Sequence, residues 1–389
     1  MLGVNNALWE SSVQCNRESS VPCSAAGMGY SGDPQPVAQG QHVAPSGLKM
    51  DVLHSSGVVL AAYLQEKCLD FSQFWLWVNH LGDPAHIYVI YFPLAYCICN
   101  RLGVAILWTG LLSEWLNLIF KWFLFGERPF WWIYESGMHS DLHLTQFPLT
   151  CETGPGSPSG HCMITGAALW PVMMFFTNLR PQRTLLSLVP IILYIMLMVG
   201  VAISRVLILA HFPHQVVAGL IAGMYLGHSI PGTVSRGCTL LFFTLTSVLL
   251  LFGAFLIYFG MGIFGVDLSW SINRATKWCA KPEWVRLETR PFSSVTRSAA
   301  SALGLGFAFR CPLYSRLCKG NRDWRKRTIT LLLSLLLLGL LHHLPLQTAS
   351  PLLFYFLNFI RHVLGPFAVV ILAPFITHSL SMRATDKKE

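Results

Sequence analysis

Charged residues are scarce in this 389-residue chain. They make up 12% of the residues, whereas 53% are hydrophobic and the mean hydropathy is +0.51. A typical soluble domain carries about 25% charged residues. Several apolar runs reach the roughly 20 residues that a helix needs to cross a bilayer. The scarcity of charge therefore excludes an ordinary soluble protein and predicts an all-α, polytopic membrane protein.

Motifs for metals, disulfides and nucleotides are missing as well. The eleven cysteines are scattered and form no C-x-x-C pair, so we expect buried free thiols and neither a zinc site nor a disulfide framework. No glycine-rich P-loop and no Asp/His metal cluster occurs. The net charge of +9 does not predict a nucleic-acid partner, because the basic residues cluster in loops between apolar runs. We expect neither a metal nor another cofactor.

Composition divides the chain into three parts. Residues 1–49 are rich in Ser, Gly, Pro and Gln and contain no long apolar run, which predicts a disordered extension or sequence before an alternative start at Met50. Residues 50–380 are predicted to form a single transmembrane domain. Residues 381–389 form a short tail.

Nine apolar segments are predicted to be transmembrane helices. They are residues 71–98, interrupted by Gly82-Asp83-Pro84, and residues 102–125, 160–178, 184–204, 210–230, 238–262, 296–310, 328–344 and 351–378. Nine crossings place the two termini on opposite sides of the membrane. Lys and Arg in the short loops on the C-terminal side predict that this side faces the cytosol. Loops 126–159 and 204–211 then lie on the opposite, lumenal or extracellular side.

Two polar motifs belong to the first of these loops. In KWFLFGERP, Lys121 and Arg128 are two helical turns apart and share a face. In PSGH, Ser159 is a natural N-cap and Gly160 lets a ligand approach the backbone, so the following helix N-terminus is suited to an anion. His161 lies in the first turn beside that position. Taken singly, these residues are also typical of the membrane interface.

A third motif, SRVLILAHFPHQ, belongs to the second loop. Arg205 ends one predicted helix and His211 opens the next. Three cations and free helix amides suit a phosphoryl group, because they neutralise its oxygens in the ground state and during transfer. Two histidines supply a nucleophile and an acid for the leaving alkoxide. The combination predicts metal-free covalent phosphoryl transfer.

The motifs K-x6-RP, PSGH and SR-x5-H resemble the signature of the type 2 phosphatidic acid phosphatase superfamily, whose fold is shared with vanadium haloperoxidases. The flanks EWLNLIFKWFLFGERPFWW, QFPLTCETGPGSPSGH and AHFPHQVVAG are similar to the glucose-6-phosphatase catalytic subunits. The resemblance covers residues 50 to about 380. It implies a helical-bundle phosphatase core that hydrolyses glucose 6-phosphate or a close relative in glucose metabolism, including gluconeogenesis. It also implies the endoplasmic reticulum membrane, a lumenal site and functional coupling to a glucose 6-phosphate transporter.

The resemblance implies a role for each site residue. His211 is expected to be the nucleophile that becomes phosphohistidine. His161 is expected to protonate the sugar oxygen and then to act as base toward the hydrolytic water. The residues expected to hold the phosphate oxygens are Lys121, Arg128, Arg205, Ser159 and Gly160.

One position departs from the wider superfamily, whose third motif ends H-x3-D. Gln215 occupies the place of the aspartate, which leaves the orienting partner of His211 open; Gln215 and His214 are the candidates. Asp83 lies at predicted membrane depth, where a carboxylate is costly, and is predicted to contact the substrate or an active-site cation. Glu152 is expected to pair structurally with an arginine.

Two alternative functions remain at this stage. The first is a lipid phosphate phosphatase of the same superfamily, which the CETGPGSPSGH flank and Gln215 disfavour. The second is a non-catalytic transporter that uses the cations only to bind phosphate. The pair of histidines disfavours it, because two histidines add nothing to simple binding.

Overall fold

The computed structural model describes residues 45–139, 141–179, 185–234, 237–285, 291–320, 323–344 and 350–386. The α-helices in chain order are α1 (Pro45–Cys68), α2 (Ser72–Leu81), α3 (Phe92–Ile98), α4 (Asn100–Leu124), α5 (Pro129–Ser136), α6 (Gly166–Asn178), α7 (Val189–Leu207), α8 (Pro213–Ser229), α9 (Leu240–Ile263), α10 (Trp270–Trp278), α11 (Pro291–Arg310), α12 (Tyr314–Gly320), α13 (Trp324–His343), α14 (Pro351–Phe367) and α15 (Ala373–Asp386). No strand occurs in the described residues, which confirms the all-α prediction.

Each of the nine predicted membrane segments contains helix. The first is broken where predicted: α2 ends at Leu81, and a π-helical turn at Ile87–Tyr91 leads into α3. Helical stretches of the described chain that are long and apolar enough to cross a membrane are Asn100–Ser136, Leu185–Leu207, Leu240–Ile263 and Leu352–Ser381. These stretches support a multi-pass membrane protein. The count of nine is not confirmed, since the remaining helices are shorter or less apolar.

Helix α1 was not predicted from the sequence. Up to residue 44 the predicted disordered extension lies outside the described residues, whereas residues 45–49 belong to α1. Gln65 fixes the helix in place: its amide nitrogen donates to the carbonyl oxygens of Leu207 (2.7 Å) and Thr145 (2.9 Å). His54 stacks on Phe212 with 4.2 Å between ring centroids. Helix α1 therefore braces both ends of the turn between α7 and α8.

A stripe of glycines on α8 brings the PSGH motif close to that helix. A Cβ atom at Gly219 would lie 2.7 Å from the Ser159 carbonyl oxygen, and one at Gly223 would lie 2.7 Å from the Met163 carbonyl oxygen. Small residues four apart allow this kind of backbone approach between membrane helices. The stripe thus sets the position of the helix that begins at Gly160 against the turn that carries His211.

Candidate active site

The residues predicted to form the site meet at one end of the bundle. Lys121, Arg128, Gly160 and His161 line one cavity of about 130 Å³, and Asp83 lines it too. Arg205 and His211 lie behind it, both fully buried, and both face the carboxylate of Glu152, which lines the cavity. The structure therefore brings together side chains from four separate stretches of sequence.

Arg128 is held by backbone carbonyl groups from two loops. It takes the extended conformation typical of a residue before proline and stands just ahead of α5. Its Nε donates to the Gly154 carbonyl oxygen (2.7 Å) and its Nη1 to that of Ala210 (3.0 Å). The same Nη1 lies 3.5 Å from Nε2 of His211. The guanidinium is fully buried, with its orientation fixed beside the His211 ring.

Arg205 ends α7 and is anchored by a residue that the sequence analysis missed. Its Nη1 donates to Oδ1 of Asn79 on α2 (2.9 Å), and its Nη2 donates to Oε1 of Glu152 (2.5 Å). The chain then reverses at Leu209, whose φ of 60° is the left-handed conformation that non-glycine residues rarely adopt. Strain of this kind persists where the surroundings require one geometry. Here it turns His211 back toward Arg205.

A backbone carbonyl group orients His211. Nδ1 of the ring lies 2.7 Å from the Gly156 carbonyl oxygen, so Nδ1 carries the proton and Nε2 keeps its lone pair toward the site. His211 lies in the turn before α8. Burial lowers the pKa of its ring well below the usual value, and the charges of Arg128 and Arg205 lower it further. The imidazole is therefore neutral and nucleophilic at physiological pH.

Neither candidate from the sequence contacts the His211 ring directly. Gln215 accepts a bond from the Phe212 backbone N–H (3.1 Å) and donates to the Glu127 carbonyl oxygen (2.7 Å). It therefore fixes the loop between α4 and α5, in which the Gly126 carbonyl oxygen accepts a bond from the Gly156 backbone N–H (2.6 Å). His214 instead stacks on Phe212, 5.7 Å between ring centroids. The prediction that Gln215 or His214 orients the ring is therefore corrected. The Gly156 carbonyl group takes the place that the aspartate has in the wider superfamily, and Gln215 acts only indirectly, through the loop that it binds.

The PSGH segment places His161, the predicted general acid, at the cavity. His161 opens the π-helical turn His161–Thr165 that leads into α6. The Ser159 hydroxyl is buried and has no hydrogen-bond partner in the described part of the chain, so the predicted N-cap bond is not made. A buried hydroxyl of this kind suits a ligand oxygen. A Cβ atom at Gly160 would lie 3.1 Å from Oδ1 of Asn117, so the backbone there is closely packed.

Glu152 has a larger place in the site than the sequence analysis predicted for it. Its Oε2 lies 3.0 Å from Nη2 of Arg128 and its Oε1 lies 2.5 Å from Nη2 of Arg205. Pairing with one arginine was expected, but the carboxylate bridges two. Burial alone would raise the pKa of this carboxyl group, but the charges of Arg205 and Arg128, with those of His161 and Lys121, hold it well below its usual range. Glu152 is therefore ionised.

Other polar and charged side chains line the cavity among apolar ones. Oδ1 of Asp83 accepts a bond from the Ala85 backbone N–H (2.9 Å). Glu114 of α4 and Arg297 of α11 form a buried ion pair beside it. The signal for this pair was present in the sequence as an acid and a base within apolar segments, which are costly there unless paired.

A disulfide joins Cys151 to Cys279 and corrects the expectation of free thiols. It ties the loop containing Glu152 to the residue that follows α10, across 128 residues of sequence. Nothing in the local spacing of these cysteines indicates the pairing, because only the tertiary fold brings them together.

We expect Cys279→Ser to lower the free energy of unfolding by about 2–4 kcal/mol, because the disulfide constrains a long loop of the unfolded chain. Thermal unfolding with and without reductant measures the effect. Cys311→Ser, at a free cysteine, is the matched control and should leave stability nearly unchanged. Equal unfolding temperatures for the wild-type protein and Cys279→Ser would contradict the prediction.

Comparison with known proteins finds relatives over most of the chain. Residues 101–237, which contain the three motifs, match the family described as the PAP2 superfamily. The chain is 46% identical over 339 residues to glucose-6-phosphatase 3 of Bos taurus, covering 85% of this chain and 97% of that protein. It is 44% identical to glucose-6-phosphatase 3 of Homo sapiens with the same coverage. It is 34% identical over 360 residues to glucose-6-phosphatase catalytic subunit 1 of Rattus norvegicus, covering 87% and 99%. No solved structure matches the chain significantly.

Proposed function

The chain belongs to the glucose-6-phosphatase family of the PAP2 superfamily, and on this premise we propose that it hydrolyses glucose 6-phosphate, or a closely related sugar phosphate, through a phosphohistidine at His211. The observation that carries the proposal is the orientation of the His211 ring. Its Nδ1 proton is committed to the Gly156 carbonyl oxygen, and its Nε2 lies 3.5 Å from Nη1 of Arg128 and 4.0 Å from Oε2 of Glu152. A nucleophile held beside cations is what transfer of a phosphoryl group requires.

The first step is transfer of the phosphoryl group to His211. Nε2 forms a bond to phosphorus as the bond between phosphorus and the sugar oxygen breaks. Arg128 and Arg205 stabilise the charge on the equatorial oxygens, and because both are buried their effect is greater than it would be in water. Lys121 adds a third cation at the same cavity. His161 donates a proton to the departing sugar oxygen.

The second step is hydrolysis of the phosphohistidine. His161, now neutral, takes a proton from water as the water oxygen bonds to phosphorus and the bond to Nε2 breaks. Phosphate leaves, and both histidines return to their starting states. The Ser159 hydroxyl and the Gly160 backbone are placed to hold a phosphate oxygen during both steps.

Polar side chains on the cavity wall can bind the hydroxyl groups of a sugar. Asp83 and Asn117 line it beside the cations and can exchange hydrogen bonds with sugar hydroxyl groups, while Trp122 offers an aromatic surface. This arrangement agrees with the prediction that Asp83 contacts the substrate.

We also propose that the protein resides in the endoplasmic reticulum membrane, with the active site lumenal and the C-terminus cytosolic. The Cys151–Cys279 disulfide, next to Glu152, supports an oxidising compartment for this loop. A lumenal site requires that a separate transporter deliver a sugar phosphate made in the cytosol. The lipid bilayer is the remaining partner.

The substrate class can be tested with detergent-purified protein. We expect phosphate release from glucose 6-phosphate and little or none from phosphatidic acid in mixed micelles, because the relatives of this chain are glucose-6-phosphatases and polar side chains line part of the cavity. Malachite-green detection of phosphate measures both reactions. The converse preference would favour the lipid phosphatase alternative. Binding of glucose 6-phosphate without phosphate release would favour the transporter alternative.

A further inference from the structure

The carboxylate of Glu152 occupies the position where the proposed reaction needs phosphate. It binds Nη2 of Arg128 at 3.0 Å and Nη2 of Arg205 at 2.5 Å. Its Oε2 lies 4.0 Å from Nε2 of His211, the atom that must bond to phosphorus. Both arginines and His211 therefore face this carboxylate. A phosphoryl group and the carboxylate cannot hold this position at the same time.

We propose that Glu152 is a positioning residue that exchanges partners when substrate binds. Before substrate binds, its carboxylate neutralises the charges of Arg128 and Arg205. Incoming phosphate displaces it from both arginines, and the carboxylate then pairs with Nδ1 of His161, the acid of the reaction. The proposal rests on the proposed transfer to His211.

The first half of the exchange follows from burial. The side chains of Arg128 and Arg205 are 0% exposed and that of Glu152 is 8% exposed. Two buried guanidinium groups without an anion are strongly unfavourable. A carboxylate accepts the same parallel hydrogen bonds from arginine as phosphate does, so one can replace the other in the same geometry. Before substrate binds, Glu152 thus provides the anion that holds the two guanidinium groups in place, and substrate can displace it.

The second half follows from the position of His161. Its Nδ1 lies 3.8 Å from Oε1 of Glu152, the same oxygen that now binds Arg205. A movement of about 1 Å brings the two atoms within hydrogen-bond distance. Once phosphate takes Arg205, His161 remains within reach of that oxygen. The groups that face the carboxylate are Lys121, Arg128, Arg205, His161 and His211.

The exchange has a catalytic consequence. A carboxylate at Nδ1 stabilises the imidazolium form of His161 and aims Nε2 toward the leaving oxygen. The acid is then charged when substrate is present. The exchange needs only a rotation of the Glu152 side chain. The backbone beside it stays in place, because Cys151 is held by its disulfide and the Glu152 backbone N–H donates to the Thr150 carbonyl oxygen (2.9 Å).

The test compares two leaving groups in Glu152→Gln, which keeps the size of the side chain and removes its charge. The sugar alkoxide of glucose 6-phosphate needs a proton to leave, whereas the phenolate of p-nitrophenyl phosphate leaves without one. Rapid-quench phosphorylation of His211 should slow by about 100-fold with glucose 6-phosphate and by less than about threefold with p-nitrophenyl phosphate. Equal slowing with both substrates, or with neither, would overturn the proposal and leave Glu152 a structural residue.

Two further measurements keep the result interpretable. Inorganic phosphate should inhibit Glu152→Gln at about tenfold lower concentration than wild type, since it no longer competes with a carboxylate; unchanged or weaker inhibition would contradict the displacement. Glu152→Asp keeps the charge on a shorter side chain and replaces Glu152→Gln in the test if that variant does not fold. It should show a smaller difference between the two substrates in the rate of His211 phosphorylation, in the same direction. Wild-type protein that takes phosphate from neither substrate would overturn the proposed function instead.

Discussion

Replacing His211 with alanine is expected to abolish turnover of glucose 6-phosphate and to remove any phosphoryl label from the protein. Nε2 of His211 is the atom proposed to receive the phosphoryl group, and it lies 3.5 Å from Nη1 of Arg128. Loss of a covalent nucleophile costs on the order of 10⁴-fold or more in kcat. A pulse of ³²P-labelled glucose 6-phosphate, quenched in alkali, measures the label, which is acid-labile and alkali-stable for phosphohistidine.

His214→Ala is the matched control for this experiment. His214 lies three residues further on and stacks on Phe212 without contacting the His211 ring, so its removal should change labelling by no more than about threefold. His161→Ala should slow both formation and loss of the label, because His161 serves as acid and then as base. Persistent label in His211→Ala would show that another residue is the nucleophile.

Gly156→Ala is expected to lower kcat by roughly 10²–10⁴-fold, the range seen when a catalytic histidine loses its orienting partner. A Cβ atom at Gly156 would lie 2.3 Å from the Glu127 carbonyl oxygen and 2.8 Å from Oε1 of Gln215. The loop must move to relieve these contacts, which displaces the Gly156 carbonyl group from Nδ1 of His211. Steady-state kinetics beside thermal unfolding separates loss of orientation from loss of fold.

Gly154→Ala provides the control within the same loop. No atom lies within 4 Å of a Cβ atom placed at Gly154, so this substitution adds the same methyl group without a clash. We expect its kcat to stay within about threefold of wild type. Equal kcat values for Gly156→Ala and wild type would show that the Gly156 carbonyl group does not set the orientation of His211.

Several features of the site have no local signal in the sequence. The partner of His211 is a backbone carbonyl group, which any residue type supplies, so residue identity could not indicate it. Asn79 anchors Arg205 from a helix 126 residues earlier, and Cys151 pairs with Cys279 across 128 residues. Glu152 could be predicted to pair with an arginine, but its place between two arginines depends on three loops meeting. Such pairings are long-range and depend on how the helices pack.

The sequence by itself determined the helical class, the apolar segments that fold as helices and the three motifs that hold the cations and histidines. These depend on apolar run length and on spacings within one helix or loop, which local chemistry fixes. Only the tertiary structure decided that Gly156 orients His211, that Glu152 bridges Arg128 and Arg205, and that α1 braces the α7–α8 turn. These choices arise because buried polar groups must be paired after the helices have packed, and the chain pairs them with whichever groups the fold brings near.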